Sequence, residues 1–137
     1  MQVLYNEVIT RVAVPIAARV NATTNGTTID RADPNGGTDS TTTALAVVVT
    51  GTITDGSHAV TVQDSDDGSS WASASSDYLV GTTPTITSTD SNKVFEIGYQ
   101  GPKRYLRVVV VSSGSTTGGI FGAVILLGGA GRTPVQR

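Results

Sequence analysis

Few residues in this chain are suited to chemistry. It contains one histidine, His58, one tryptophan, Trp71, no cysteine, and a short acidic run, Asp64-Ser65-Asp66-Asp67-Gly68. A Ser-His-Asp site needs a nucleophile beside the imidazole and a carboxylate to orient it. There is no GxSxG elbow and no second histidine, and His58 follows the turn signal Asp55-Gly56-Ser57, so it reads as a solvent-exposed turn residue. The acidic run offers the carboxylate oxygens that calcium takes. Its spacing departs from the calcium-loop pattern, which wants an acid or Asn where Gly68 stands and Glu where Ser75 stands. Asp and Gly are equally what a tight hairpin demands, so no metal and no cofactor is expected.

Lys103, Arg104 and Arg107 lie beside Tyr99 and Tyr105, a mixture that can hold single-stranded nucleic acid. Arg104 and Arg107 are three apart, however, and on a strand they face opposite sides, which favours a salt-bridged sheet edge or a protein contact. Gly114 to Gly119 lacks the Lys and the following helix of a phosphate loop. Charged residues are 15% of the chain and the formal net charge is -2, too weak a field to steer nucleic acid or an anionic membrane. The longest near-apolar stretch, 118–130, is interrupted by five glycines and is shorter than the roughly 20 residues of a spanning helix. The beginning of the chain lacks the basic flank and apolar run of a signal peptide. These features predict a soluble protein of a reducing compartment, with no nucleic-acid or membrane partner, and not an enzyme.

The elements that would position any site are strands. With 21 Thr, 18 Val, 16 Gly and 13 Ser in 137 residues, stiff β-compatible side chains and turn formers dominate, and the length suits one domain. Alternating runs predict strands over 44–54, 59–63, 93–100, 104–111 and 119–127, with a short one near 29–32 and weaker candidates at 77–80 and 84–89. Residues 21–28, with Asn25-Gly26, read as a polar turn. Eight or nine short strands with turns every 8 to 15 residues predict an all-β fold, a jelly-roll-like β-sandwich with extended N- and C-terminal arms. The expected division is an N-terminal arm over 1–20, a sandwich over 21–127 and a C-terminal tail over 128–137.

The first 20 residues carry no glycine and are rich in apolar side chains, so they need cover from their own domain or from a neighbouring chain. The candidate partner-binding residues are Val3, Leu4, Tyr5, Val8, Ile9, Val12, Val14 and Ile16, with Arg132 and Val135 in the tail.

Two resemblances bear on function. The phrase Val62 to Trp71, VQDSDDGSSW, is similar to a strand, turn and tryptophan found in discoidin-type sugar-binding sandwiches, which implies stacking of Trp71 on a sugar ring. As a whole the chain resembles small head-decoration, or cement, proteins of tailed bacteriophages. That resemblance is carried by the same phrase together with Asp77 to Gly81, Phe95 to Arg107, Thr116 to Leu127 and the closing Arg132-Thr133-Pro134-Val135. It implies a structural virion protein on the capsid exterior, assembled in the host bacterial cytoplasm. Such a protein bridges adjacent major capsid protein subunits and self-associates as a dimer or trimer. A virion-surface glycan-binding module and a tail or connector component are the alternatives. On this reading, deleting residues 1–20 is expected to abolish addition to undecorated capsids, measured by co-sedimentation; undiminished binding removes the arm from the mechanism.

Overall fold

The computed structural model describes residues 3–32, 40–131, 134 and 135. Among the described residues, eleven strands follow one another: β1 (Ile9–Arg19), β2 (Ala22–Asn25), β3 (Ile29–Asp30), β4 (Thr43–Ile53), β5 (Ser57–Ser65), β6 (Ala72–Ser73), β7 (Leu79–Val80), β8 (Thr85–Ile86), β9 (Val94–Tyr99), β10 (Tyr105–Ser113) and β11 (Gly119–Gly128). They form two antiparallel sheets. One runs β1-β11-β4-β9-β7; the other runs β2-β10-β5-β6, with β3 also on β10 and β8 also on β5. The result is a β-sandwich, as the composition and alternation predict.

Alternation along each strand supplies the core. Phe121, Ala123, Ile125 and Leu127 of β11, with Ala44, Ala46 and Val48 of β4 and Ile97 and Tyr99 of β9, face Leu106, Val108 and Val110 of β10 and Val60 and Val62 of β5. Every second residue is thereby withdrawn from water, which is how two sheets bury a common layer.

Three expectations are corrected. The segment expected as a separate N-terminal arm is mostly β1, a strand of the five-stranded sheet, paired with β11 from Ile9↔Leu127 to Arg19↔Gly119. Ile9, Ala13 and Val14 lie in the core. Pro15 sits in this strand within the register shift between Val14 and Ala17, where an edge position and irregular pairing tolerate its missing N–H. The polar 21–28 stretch also holds a strand, because Ala22–Asn25 pairs with Val109 to Ser112 of β10 and Thr is at home on a pleated surface. Gly26 serves close approach: a Cβ there would stand 2.4 Å from the Val108 carbonyl oxygen and 2.5 Å from that of Ala13, where the chain passes between the sheets.

The third correction is His58, expected in solvent and found fully buried on β5. It shares the inward parity of Val60 and Val62. Its Nδ1 is 2.7 Å from Ser112 Oγ, its Nε2 is 3.2 Å from the Asp55 carbonyl oxygen, and its ring centroid is 5.1 Å from that of Phe121. A strand beginning one residue after the turn puts the imidazole inside.

Phe121 and Ile120 are neighbours on opposite faces of β11, one buried and one exposed. Truncating Phe121 to Ala is expected to cost about 3 to 5 kcal/mol by loss of transfer energy and a residual cavity. Ile120→Ala should change stability by only about 0.5 kcal/mol. Urea unfolding of the two variants checks the difference.

Candidate functional site

The outward side chains of the five-stranded sheet form an apolar surface. Register sets them in rows: Thr10, Leu126, Leu45, Gly98 and Val80; then Val12, Val124, Val47 and Glu96; then Gly122, Val49 and Val94. Glu96 is the one charged residue in these rows. Val12 is 56% exposed, and Val49, Val80, Val94 and Ile120 are also exposed. This follows from β4 and β11 being apolar at both parities, so that filling the core leaves a second set of Leu and Val residues outside.

Beside Val12 the surface dips into a hollow of about 350 Å³, lined by Val12, Val14, Pro15, Ile16, Val49, Gly122, Ala123 and Val124. Gly122 makes it possible, since a Cβ there would stand 2.6 Å from Ile16 Cγ1 and 2.9 Å from the Val14 carbonyl oxygen. Ile16 rises at the rim and is 76% exposed.

The candidate partner-binding residues thus divide by position. Val3, Leu4 and Tyr5 are exposed at the N-terminal 3-10 turn Leu4–Asn6, with Leu4 at 66%. Val12 and Ile16 belong to the apolar sheet face, and Val8 is half-buried. Ile9 and Val14 are in the core and are withdrawn from any partner by their own sheet. Val135 is buried too, and its N–H donates to the Asn6 carbonyl at 2.9 Å, tying the end of the chain to its beginning. Arg132 lies outside the described residues. Sequence reasoning missed Leu45, Val47, Val49, Val94 and Val124 as surface residues; for the first three the signal was apolarity at both parities of 44–54.

The acidic run is dispersed among separate tasks. Asp64 is buried and accepts the Tyr99 hydroxyl at 2.9 Å. Asp66 pairs with Lys103. Asp67 accepts the Ser69 and Ser70 N–H groups, each at 2.8 Å, and the Ser65 hydroxyl at 3.0 Å, bonds that lower its pKa to about 2. Burial first, then the hydrogen bond to Asp64, pushes the Tyr99 phenol up to about 12. Among the described residues, no group of three or more His, Asp or Glu side chains is placed to hold a metal ion.

The basic residues are engaged as well. Arg104 forms a fork to Asp30, at 2.9 and 2.8 Å, and lies over Tyr105; Arg107 donates to Gln63 at 2.8 Å and lies 4.5 Å from the Trp71 ring centroid. Arg31 is buried beside Tyr99 and donates to the carbonyls of Gly101, Lys103 and Thr42, clasping two loops at one end of the sandwich. At the other end Asp55 accepts the N–H groups of Thr116, Thr117 and Gly118, which hold its carboxyl below the usual range. No helix of the described chain is long and apolar enough to cross a membrane.

The depressed carboxyls of Asp67 and Asp55 fix the sign of the acid response. Their stabilising contribution is fully present above the ordinary carboxylate pKa of about 4 and is lost as pH falls, for Asp67 toward about 2. The midpoint of thermal unfolding is therefore expected to drop between pH 4 and 2. The drop should be shallower in an Asp55→Asn, Asp67→Asn double variant, as calorimetry at both pH values would record.

No protein-family model and no curated protein matches the chain. Among solved structures it is similar to the PBSX exported protein XepA, with a TM-score of 0.61 and 14% identity, over 94% of this chain and 39% of that one. A second is the Clostridium thermocellum N-terminal endo-1,4-beta-D-xylanase 10B, CBM22-1 and GH10 modules, complexed with xylohexaose. There the TM-score is 0.38 and the identity 12%, over 97% of this chain and 28% of that one. The chain spans well under half the length of both. Similarity to XepA shows a shared fold, whereas the second likeness is too slight to carry an argument.

Proposed function

We propose that this chain is a structural virion protein that decorates and stabilises a phage head from outside, bridging adjacent major capsid protein subunits without turning over any substrate. The carrying observation is apolar surface that the chain leaves uncovered on itself: an exposed turn at Val3 and Leu4, and a sheet face with a single charge. Such surface marks a protein contact in a soluble domain. XepA, which shares the fold, comes from the phage PBSX. His58, Asp55, Asp64, Asp67, Arg31 and Arg104 are spent on turns, clasps and the core, which suits a binding part better than a catalyst.

The mechanism follows from repetition. A capsid lattice presents the same site many times, so an interface of modest area holds neighbouring subunits together when each decorating unit touches more than one of them. The Val3–Leu4 turn is the element we assign to the shell, since it precedes β1 and the Val3 and Leu4 side chains are exposed. Trp71, the residue a glycan-binding reading would use, has the Arg107 guanidinium over its ring.

A deletion of 1–20 would also remove edge strand β1, so the sharper test leaves the sandwich whole. Leu4→Ser in the full chain is expected to weaken addition to undecorated capsids about tenfold, with thermal stability unchanged. Wild-type chain that fails to co-sediment with capsids, or a Leu4→Ser variant that binds as well as wild type, overturns this assignment.

A further inference from the structure

We propose that Arg107 is an anion-binding contact whose ligand is the carboxylate of an acidic side chain on a partner protein, taken on the outer face of the sheet that holds β10 and β5. The identity of that partner rests on the structural-protein reading, whereas the contact itself is tested without it.

Preorganisation is the first argument. The Arg107 guanidinium lies 4.5 Å from the Trp71 ring centroid, and its Nε donates to Gln63 Oε1 at 2.8 Å. Arg107 and Gln63 stand opposite each other in the β10–β5 ladder, so both project from the same side of the sheet. Ring and amide together fix the plane of the guanidinium, and the rotamer freedom a long cation gives up on binding is already reduced. What remains is the end formed by Nη1 and Nη2. No described residue accepts from either nitrogen, and neither is buried, so solvent reaches both. Among the described residues every other arginine gives at least one terminal nitrogen to the protein: Arg11 to Thr10, Arg19 to Thr24, Arg31 to Thr42 and Arg104 to Asp30.

Charge selects the ligand. An end-on pair of N–H groups matches two oxygens of a carboxylate or of a phosphate. Phosphate carries more than one negative charge and is met by several cations, but the neighbouring cations are taken, Lys103 by Asp66 and Arg104 by both oxygens of Asp30. One uncommitted positive charge suits one carboxylate. A sugar acid would also want an open aromatic face, and here Arg107 lies over Trp71 and Arg104 over Tyr105. Trp, Tyr and Arg together are instead the residues that anchor protein interfaces. A partner surface that covered Arg107 without supplying a carboxylate would strand a cation out of water, so the contact also discriminates between partners.

Binding of a fluorescein-labelled tetraglutamate peptide to the full chain, read by polarisation at constant ionic strength, tests this. Trp71 is the chain's single tryptophan and lies against the guanidinium, so its emission should change in step with the polarisation. Unlabelled tetraglutamate should displace the label and tetraglutamine should not, while inorganic phosphate and tetragalacturonate should need concentrations at least about tenfold higher. Arg107→Lys keeps the charge and loses the fork, and it should weaken binding about tenfold, with circular dichroism and the thermal melt unchanged. Wild type that does not bind the peptide, a folded Arg107→Lys variant that binds as well as wild type, or phosphate or tetragalacturonate competing as well as tetraglutamate would overturn the proposal. Capsid addition is read separately: a chain that binds the peptide but ignores capsids keeps this contact and removes the virion role, while one that decorates capsids and ignores the peptide does the opposite.

Discussion

The ladder between β1 and β11 is the contact on which the rest of this molecule depends. It joins residues near the start of the chain to residues near its end, from Ile9↔Leu127 to Arg19↔Gly119, and so closes the five-stranded sheet at that edge. Without it, Ile9 and Val14 would lose their place in the core, and Phe121 would lose the Arg19 guanidinium that lies 5.6 Å from its ring centroid. The same ladder builds the outer surface. Val12 stands opposite Val124, the irregular pairing around Pro15 lifts Ile16 above Gly122, and the hollow between them exists only because the two strands lie side by side.

Polar residues are concentrated at the two ends of the sandwich, where they tie loops down. Arg31, Tyr99 and Asp64 link the loop after β9 to Thr42 and to the end of β5, and Asp55 gathers three successive backbone N–H groups before β11. His58 sits inside near the Asp55 end, with Ser112 and the Asp55 carbonyl as neighbours. Buried polar groups cost free energy unless they are hydrogen-bonded. Among the described residues, Asp55 and Asp67 are committed to backbone N–H groups, Asp66 to Lys103 and Asp64 to the Tyr99 hydroxyl.

The division of labour between the sheets follows from residue parity. On β10 and β5 the outward positions carry Arg107, Tyr105, Gln63 and Thr61, which water and each other satisfy. On β4 and β11 the outward positions carry Leu45, Val47, Val49, Val124 and Leu126. The outer face of the five-stranded sheet is therefore the more apolar of the two, although Val111 is also exposed on the other.

Much of this was legible in the amino-acid order. The Thr, Val and Gly content and the two-residue alternation determined an all-β sandwich, and the positions of β4, β5, β9, β10 and β11 followed from runs such as KVFEIGYQ and RYLRVVVV, because a strand's period is a local property of the chain. Tertiary structure alone decided which apolar residues remain outside. Ile9 and Ile16 look alike in the sequence, yet one is in the core and the other on a rim, since pairing register and a bulge near Pro15 assign the face. His58 likewise followed a turn signal into the interior, because whether a strand begins one residue earlier or later depends on partners contributed by Ser112 and Ser113, more than 50 residues away.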